Sequence, residues 1–200
     1  MTSISTSPRL LDRTILPIAE LFALVLDGQL YRVGDAFATL DTPDTPALRA
    51  SAFAAFRPGS SIADRGTAAW IHGTRSSPPP RPQVCVDPAR RCRLSAEFDA
   101  HQHAISEGEV VSFADVRVTT PLRTAGDLLL TLPSFDRASA QEVRHLLTLA
   151  EASTDALGDK LRRSRRAGCE RAIERLRDVE RTRLPIPDPS EWEQRGLSPR

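Results

Sequence analysis

Apolar residues recur along this chain at two periods, and the switches between them mark out its elements. Over residues 17–26, Ile18, Leu21, Phe22, Val25 and Leu26 fall at helical spacing, and Asp27-Gly28 closes the helix. Short runs at 30–33 and 36–40 read as two strands around the turn Gly34-Asp35. Thr45-Pro46 opens a helix reaching about residue 56, because a hydroxyl caps free N–H groups and proline suits the first helical position. Leu48, Ser51, Ala52 and Ala55 give that helix a small-residue face, and Pro58-Gly59 breaks it. A short helix over 64–72 turns Ala68, Ala69, Trp70 and Ile71 inward and stops at Gly73. The proline-rich stretch 76–82 reads as an extended connector, in preference to a recognition segment for a proline-binding partner.

Beyond the connector the period falls to two. Runs at 83–87, 93–98, 109–113 and 116–119 predict four short strands. Thr120-Pro121 then caps a helix over 121–132 with Leu122, Ala125, Leu128, Leu129 and Leu132 as its stripe. Ser139 and Glu142 have the spacing of a capping box ahead of Val143, Leu146, Leu147 and Ala150. One long helix is expected over 153–181, with Leu157, Leu161, Ile173, Leu176 and Val179 on one side and a weak point at Gly168. The fold class is therefore α/β (α+β), a small mixed sheet packed with helices.

Composition narrows the setting. The chain has 200 residues, 40% hydrophobic, with 27 cations against 26 anions, as in ordinary globular proteins of one or two domains. No run approaches the length of a bilayer span, and residues 1–22 lack the pattern of a secretory leader. Cys85, Cys92 and Cys169 cannot all pair within one chain, which favours a reducing compartment. A cytoplasmic protein without membrane contact is expected. Lys160 is the sole lysine, so the positive charge is almost all arginine, as a GC-rich genome produces. That bias is not by itself a nucleic-acid footprint.

Catalytic signatures are missing. There is no G-x-S-x-G elbow, P-loop or H-E-x-x-H, and His72 reads as a helix-capping residue rather than a base. Cys85, Cys92, His101 and His103 lie within twenty residues, but six residues separate the cysteines, wider than a tight zinc-binding pair. His101 and His103 would share a face only in a strand, so core cysteines and a polar loop are the preferred reading. No enzyme, cofactor or metal is expected.

Three segments, LVLDGQLYRVGDAFATLD (24–41), RGTAAWIHGT (65–74) and VRVTTPLRTAGDLLL (116–130), resemble in that order the actinobacterial type of the AbiEi antitoxin family. The resemblance spans roughly residues 15–150. It implies a DNA-binding winged helix followed by an α/β domain, and the antitoxin role of a type IV toxin–antitoxin system. Such a protein represses its own operon by binding operator DNA. It also counteracts a nucleotidyltransferase-like toxin without a stable complex. The expected organisation is a flexible N-terminus (1–14), a partial winged-helix segment (15–42), the AbiEi-like domain (43–150), a helical extension (151–183) and a disordered tail (184–200). A nuclease-like domain follows this region in some related proteins, and no strands are expected here beyond residue 150. A complete winged helix has two helices upstream of the one at 17–26, yet sixteen residues precede Pro17. The module is thus expected to be truncated or completed by another chain.

Site residues follow from the same resemblance. Trp70, Gly73, Thr120, Pro121, Arg123, Thr124 and Asp127 match the family segments and read as structural. Arg123 and Asp127 stand four apart, able to pair across one turn, and a toxin-recognising surface is the alternative. In the wing region Tyr31, Arg32 and Arg49 are candidate DNA contacts. Arg162, Arg163 and Arg166 are a second group, on a basic ridge from Lys160 to Arg166 that Arg171, Arg175 and Arg177 extend. Interleaved Glu170, Glu174, Asp178 and Glu180 allow instead a salt-bridged solvated helix. The rival to a DNA-binding, non-catalytic regulator is a protein-interaction module derived from the same fold.

Overall fold

The computed structural model describes residues 10–55, 61–86, 96–113, 115–164 and 166–183. The expected helix break at Pro58-Gly59, Cys92 and the tail from residue 184 lie outside them. Helix α1 (Ile18–Leu26) packs on a hairpin of β1 (Leu30–Val33) and β2 (Ala36–Thr39), in which Val33 faces Ala36 across the turn. Leu21, Leu30 and Phe37 form a small core there, and Leu11 bridges to Phe37 by two 2.8 Å backbone bonds. Thr45 caps α2 (Pro46–Ala54), its hydroxyl accepting from Leu48 N at 3.2 Å. The buried face of α2 carries Leu48, Ala50, Ala52 and Phe53, whereas Ser51 is half-buried and Ala55, past the helix end, is exposed.

The main sheet has five strands in the order β5-β4-β3-β7-β6. At its centre lies β3 (Ile62–Ala63), antiparallel to β4 (Gln83–Val86) and parallel to β7 (Val116–Thr119). Two residues are too few to show a period, so the sequence gives no sign of this strand. The next strand, β5 (Asp99–Gln102), runs parallel to β4, and β6 (Val110–Phe113) runs antiparallel to β7. The strand expected at 93–98 is not found in its described part, because residues 96–98 form a turn with Phe98 as a buried anchor. The true strand is an edge, and an edge needs no inward apolar alternation.

Helix α3 (Arg65–Ile71) crosses from β3 to the connector and ends at Gly73. After the sheet come α4 (Pro121–Thr131), α5 (Arg137–Leu149), α6 (Thr154–Ser164) and α7 (Cys169–Arg181). The single helix expected over 153–181 is thus two helices. Gly168 takes φ +85°, and the resulting bend lets Leu157, Leu161, Leu176 and Val179 share one core with α4 and α5. Helix α5 starts earlier than the expected capping box. Asp136 caps it, accepting from Ser139 N at 2.9 Å. Glu142 turns instead to Arg75, which donates two bonds of 2.8 Å, a stronger match than one backbone N–H.

A first core lies between the hairpin, α2, α3 and the sheet, where Trp70, Phe53, Val84 and Val118 meet. The second is the four-helix cluster of α4 to α7. No helix among the described residues is long and apolar enough to cross a membrane.

Two glycines separate backbone strain from crowding. Gly168→Ala forces an L-residue into the left-handed region with its Cβ in ordinary contact, and is expected to cost roughly 1–2 kcal/mol. Gly34→Ala has the same penalty, at φ +64°, and also places a Cβ 3.2 Å from the Trp70 ring, so its loss exceeds that of Gly168→Ala. Urea unfolding of both variants checks the order.

Candidate functional site: a charge network between the sheet and the C-terminal helices

The segment 116–130 positions the site. Thr120 accepts from Arg123 N at 3.3 Å, Pro121 occupies the first helical position, and buried Thr124 bonds the Thr119 hydroxyl at 2.7 Å. The first turn of α4 is thereby locked to the end of β7. His72, next to Gly73 at the end of α3, bonds the Thr119 carbonyl through Nε2 at 2.7 Å. Burial lowers its pKa, and toward a carbonyl oxygen Nε2 serves as the donor, a contact that ties the end of α3 to β7.

Fixed in this way, α4 aims Arg123 and Asp127 into the interior. Arg123 Nε donates to Asp127 Oδ2 at 2.8 Å, the pair expected from their spacing. Three residues from distant parts of the chain complete a network. Arg123 Nη1 donates to Glu109 Oε2 at 2.7 Å, and Lys160 on α6 reaches Glu109 Oε1 at 2.8 Å. Arg166, in the link between α6 and α7, donates to Asp127 Oδ1. Burial alone would raise the Glu109 pKa, but the Lys160 hydrogen bond and the Arg123 charge outweigh it and hold the group at about 2. Glu109, Arg123, Lys160, Arg166 and His103 line a cavity of about 220 Å³, with Leu157 on its apolar side.

Beside this network, Asp64, Cys85 and His101 offer side-chain ligand atoms all within 4.8 Å of one another. Cys85 and His101 are register partners on β4 and β5, and Asp64 follows β3. Burial pushes Asp64 up to about 7 against the pull of Arg65, and pushes the Cys85 thiol up to about 11. A thiol so buried is a poor nucleophile. Arg65, with φ +44°, adopts a backbone conformation that few non-glycine residues take.

The candidate DNA contacts separate. Arg49 is consumed internally: Nε and Nη2 bond Asp44 at 2.7 and 2.6 Å, and Nη1 bonds the carbonyls of Trp70 and Arg75. Tyr31 is half-buried and donates to the Thr42 carbonyl at 2.7 Å. Arg166, in the link after α6, is half-buried and pairs with Asp127. Arg32 stays exposed on the hairpin, with its guanidinium 5.6 Å from the centroid of the Phe22 ring. Arg162 and Arg163 are exposed on α6, and Arg162 pairs with Asp159 at 2.8 Å. Arg175 is buried and donates to the carbonyls of Leu129 and Leu132 at 2.7 and 2.9 Å, closing the end of α4. Trp70 is buried in the first core, and the connector at 76–82 lies near it around a groove of about 390 Å³ that also includes Arg32.

Asp64 and Glu109 escape a reading by sequence. Their partners His101, Arg123 and Lys160 come from other elements, and only the position of Asp64 before a helix hints at a special role. The molecule is a mixed α/β protein with a two-stranded hairpin and a five-stranded sheet. No known family model matches the chain, and neither does any curated protein.

Two outcomes test the network. Asp127→Ala leaves Arg123 Nε and Arg166 without their shared carboxylate, with Glu109 as the remaining partner of Arg123, and is expected to destabilise by roughly 3 kcal/mol, whereas exposed Arg162→Ala changes stability by about 0.5 kcal/mol or less. The folded-state pKa of Glu109 lies below its ordinary 4.5, so its contribution is present above that value and lost as pH falls through about 2. The stability gap between wild type and Glu109→Gln near pH 7, screened by solvent at this partly buried group and so roughly 1–2 kcal/mol, should therefore narrow across that window in urea titrations.

Proposed function

We propose that this chain is a non-catalytic, antitoxin-type regulator of the AbiEi kind, whose helix–hairpin unit docks on protein rather than reading DNA bases. The observation that carries this is the surface of α1. Ile15, just ahead of it, and Ile18, Phe22 and Leu26 on it are exposed, as is Leu40 after β2, and Leu26 is 87% exposed. In a winged helix the helix before the wing enters the major groove, where it needs cations and polar groups for phosphates and base edges. Helix α1 has neither Lys nor Arg, and Glu20 is its single charged residue. An apolar face of this kind matches itself, so a second copy of the chain is the occupant in this reading.

The family resemblance supports the antitoxin part of the proposal. The network around Asp127 supports the non-catalytic part, because its charged groups are occupied with one another. One observation favours the operator-binding reading: Arg32, Arg162 and Arg163 remain exposed. The expected result is a concentration-dependent dimer by light scattering, lost in Leu26→Asp, together with equal, weak binding to the chain's own promoter fragment and to a scrambled duplex. Promoter-selective binding that weakens with salt and with Arg32→Ala would instead make the protein an operator-binding repressor.

A further inference from the structure

We propose that Asp64, Cys85 and His101 form a binding site for a divalent transition-metal ion of the zinc class. Three neighbouring strands bring them together: Asp64 at the end of β3, Cys85 on β4, and His101 in register with Cys85 on β5. Asp64 Oδ2 and His101 Nε2 are 3.3 Å apart, close to the roughly 3.4 Å that separates two ligands on one tetrahedral zinc. The Cys85 sulfur lies within 4.8 Å of a ligand atom of each, and its thiol donates to the His103 carbonyl at 3.2 Å, a bond that a metal-bound thiolate would give up.

The polar bookkeeping around the cluster points the same way. Asp64 Oδ2 is buried without a hydrogen-bond partner, and so is His101 Nδ1. Such atoms are rare in folded proteins, and His101 Nε2 at 3.3 Å gives Asp64 Oδ2 a charged neighbour only when the ring is protonated. Asp64 stands at the N-cap of α3, where a carboxylate normally accepts from the helix N–H groups, yet it makes no capping bond. Arg65 does not fill the gap. Its Nη1 and Nη2 go to Asp99, and only Nε reaches the other oxygen of Asp64, at 3.3 Å.

The donor set selects the ion. One thiolate, one imidazole and one carboxylate suit zinc, or cobalt as its spectroscopic substitute, whereas calcium and magnesium call for oxygen ligands throughout. A thiolate and a carboxylate also balance a charge of +2. Asp64 and Cys85 are buried, and His101 has 35% of its side chain exposed, so an ion would reach the cluster from the His101 side.

The test uses the full chain, stripped with a chelator and titrated with Co²⁺ and then Zn²⁺. One Co²⁺ per chain is expected, with a near-ultraviolet band from a sulfur–cobalt bond that Zn²⁺ displaces. Cys85→Ser should abolish the band, and His101→Ala and Asp64→Asn should each weaken binding at least about tenfold. Zn²⁺ should raise the melting temperature of the wild type but not of His101→Ala, whose partly exposed position lets it fold, as circular dichroism checks. Cys169→Ser should keep the band. Absence of stoichiometric binding overturns the proposal, as does a band that survives Cys85→Ser or that disappears only with Cys92→Ser or Cys169→Ser.

Discussion

The buried carboxylate of Asp127 is the constraint on which the arrangement of the C-terminal half depends. At 3% side-chain exposure it must be paired, and its two oxygens take Arg123 from its own helix and Arg166 from the link between α6 and α7. Arg123 also reaches Glu109, just ahead of β6, and Glu109 takes Lys160 from α6. One carboxylate thus fixes where the last two helices begin to separate and how they approach the sheet. The apolar cluster of α4 to α7 supplies most of the stabilisation, while the ion network sets the geometry in which that cluster closes.

Arginine serves throughout as a tie between elements. Arg49 joins α2 to the end of α3 and the residues after it, Arg75 joins that region to α5, and Arg175 closes the carbonyl end of α4 from α7. Each uses the fork of guanidinium donors to satisfy carboxylates or orphan helix carbonyls, which a lysine could do only in part. Among the cations that a sequence invites one to assign to phosphate, Arg49, Arg166 and Arg175 are occupied by internal partners, whereas Arg32, Arg162 and Arg163 stay exposed.

The candidate site divides along the same line. The Arg123–Asp127 pair was legible because both residues sit on one helix, where a spacing of four brings them together whatever surrounds them. Thr45 and Thr120 were legible as caps for the same local reason. The three residues proposed to hold a metal come from three strands. Cys85 and His101 drew notice in the sequence only with Cys92 and His103 as companions, and Asp64 drew none, since β3 is two residues long.

What the sequence by itself determined was therefore the local order: where α2 and α4 begin at their Thr-Pro caps, which faces are apolar, where the hairpin turns, and that a small mixed sheet sits among helices. Period and capping chemistry act within a few residues, so they can be read without the fold. Tertiary structure alone decided the strand order, the placement of the edge strand at Asp99–Gln102, the split at Gly168 and the partners of each buried charge. Those depend on which distant groups arrive beside one another, and a buried charge takes whichever partner the packing delivers.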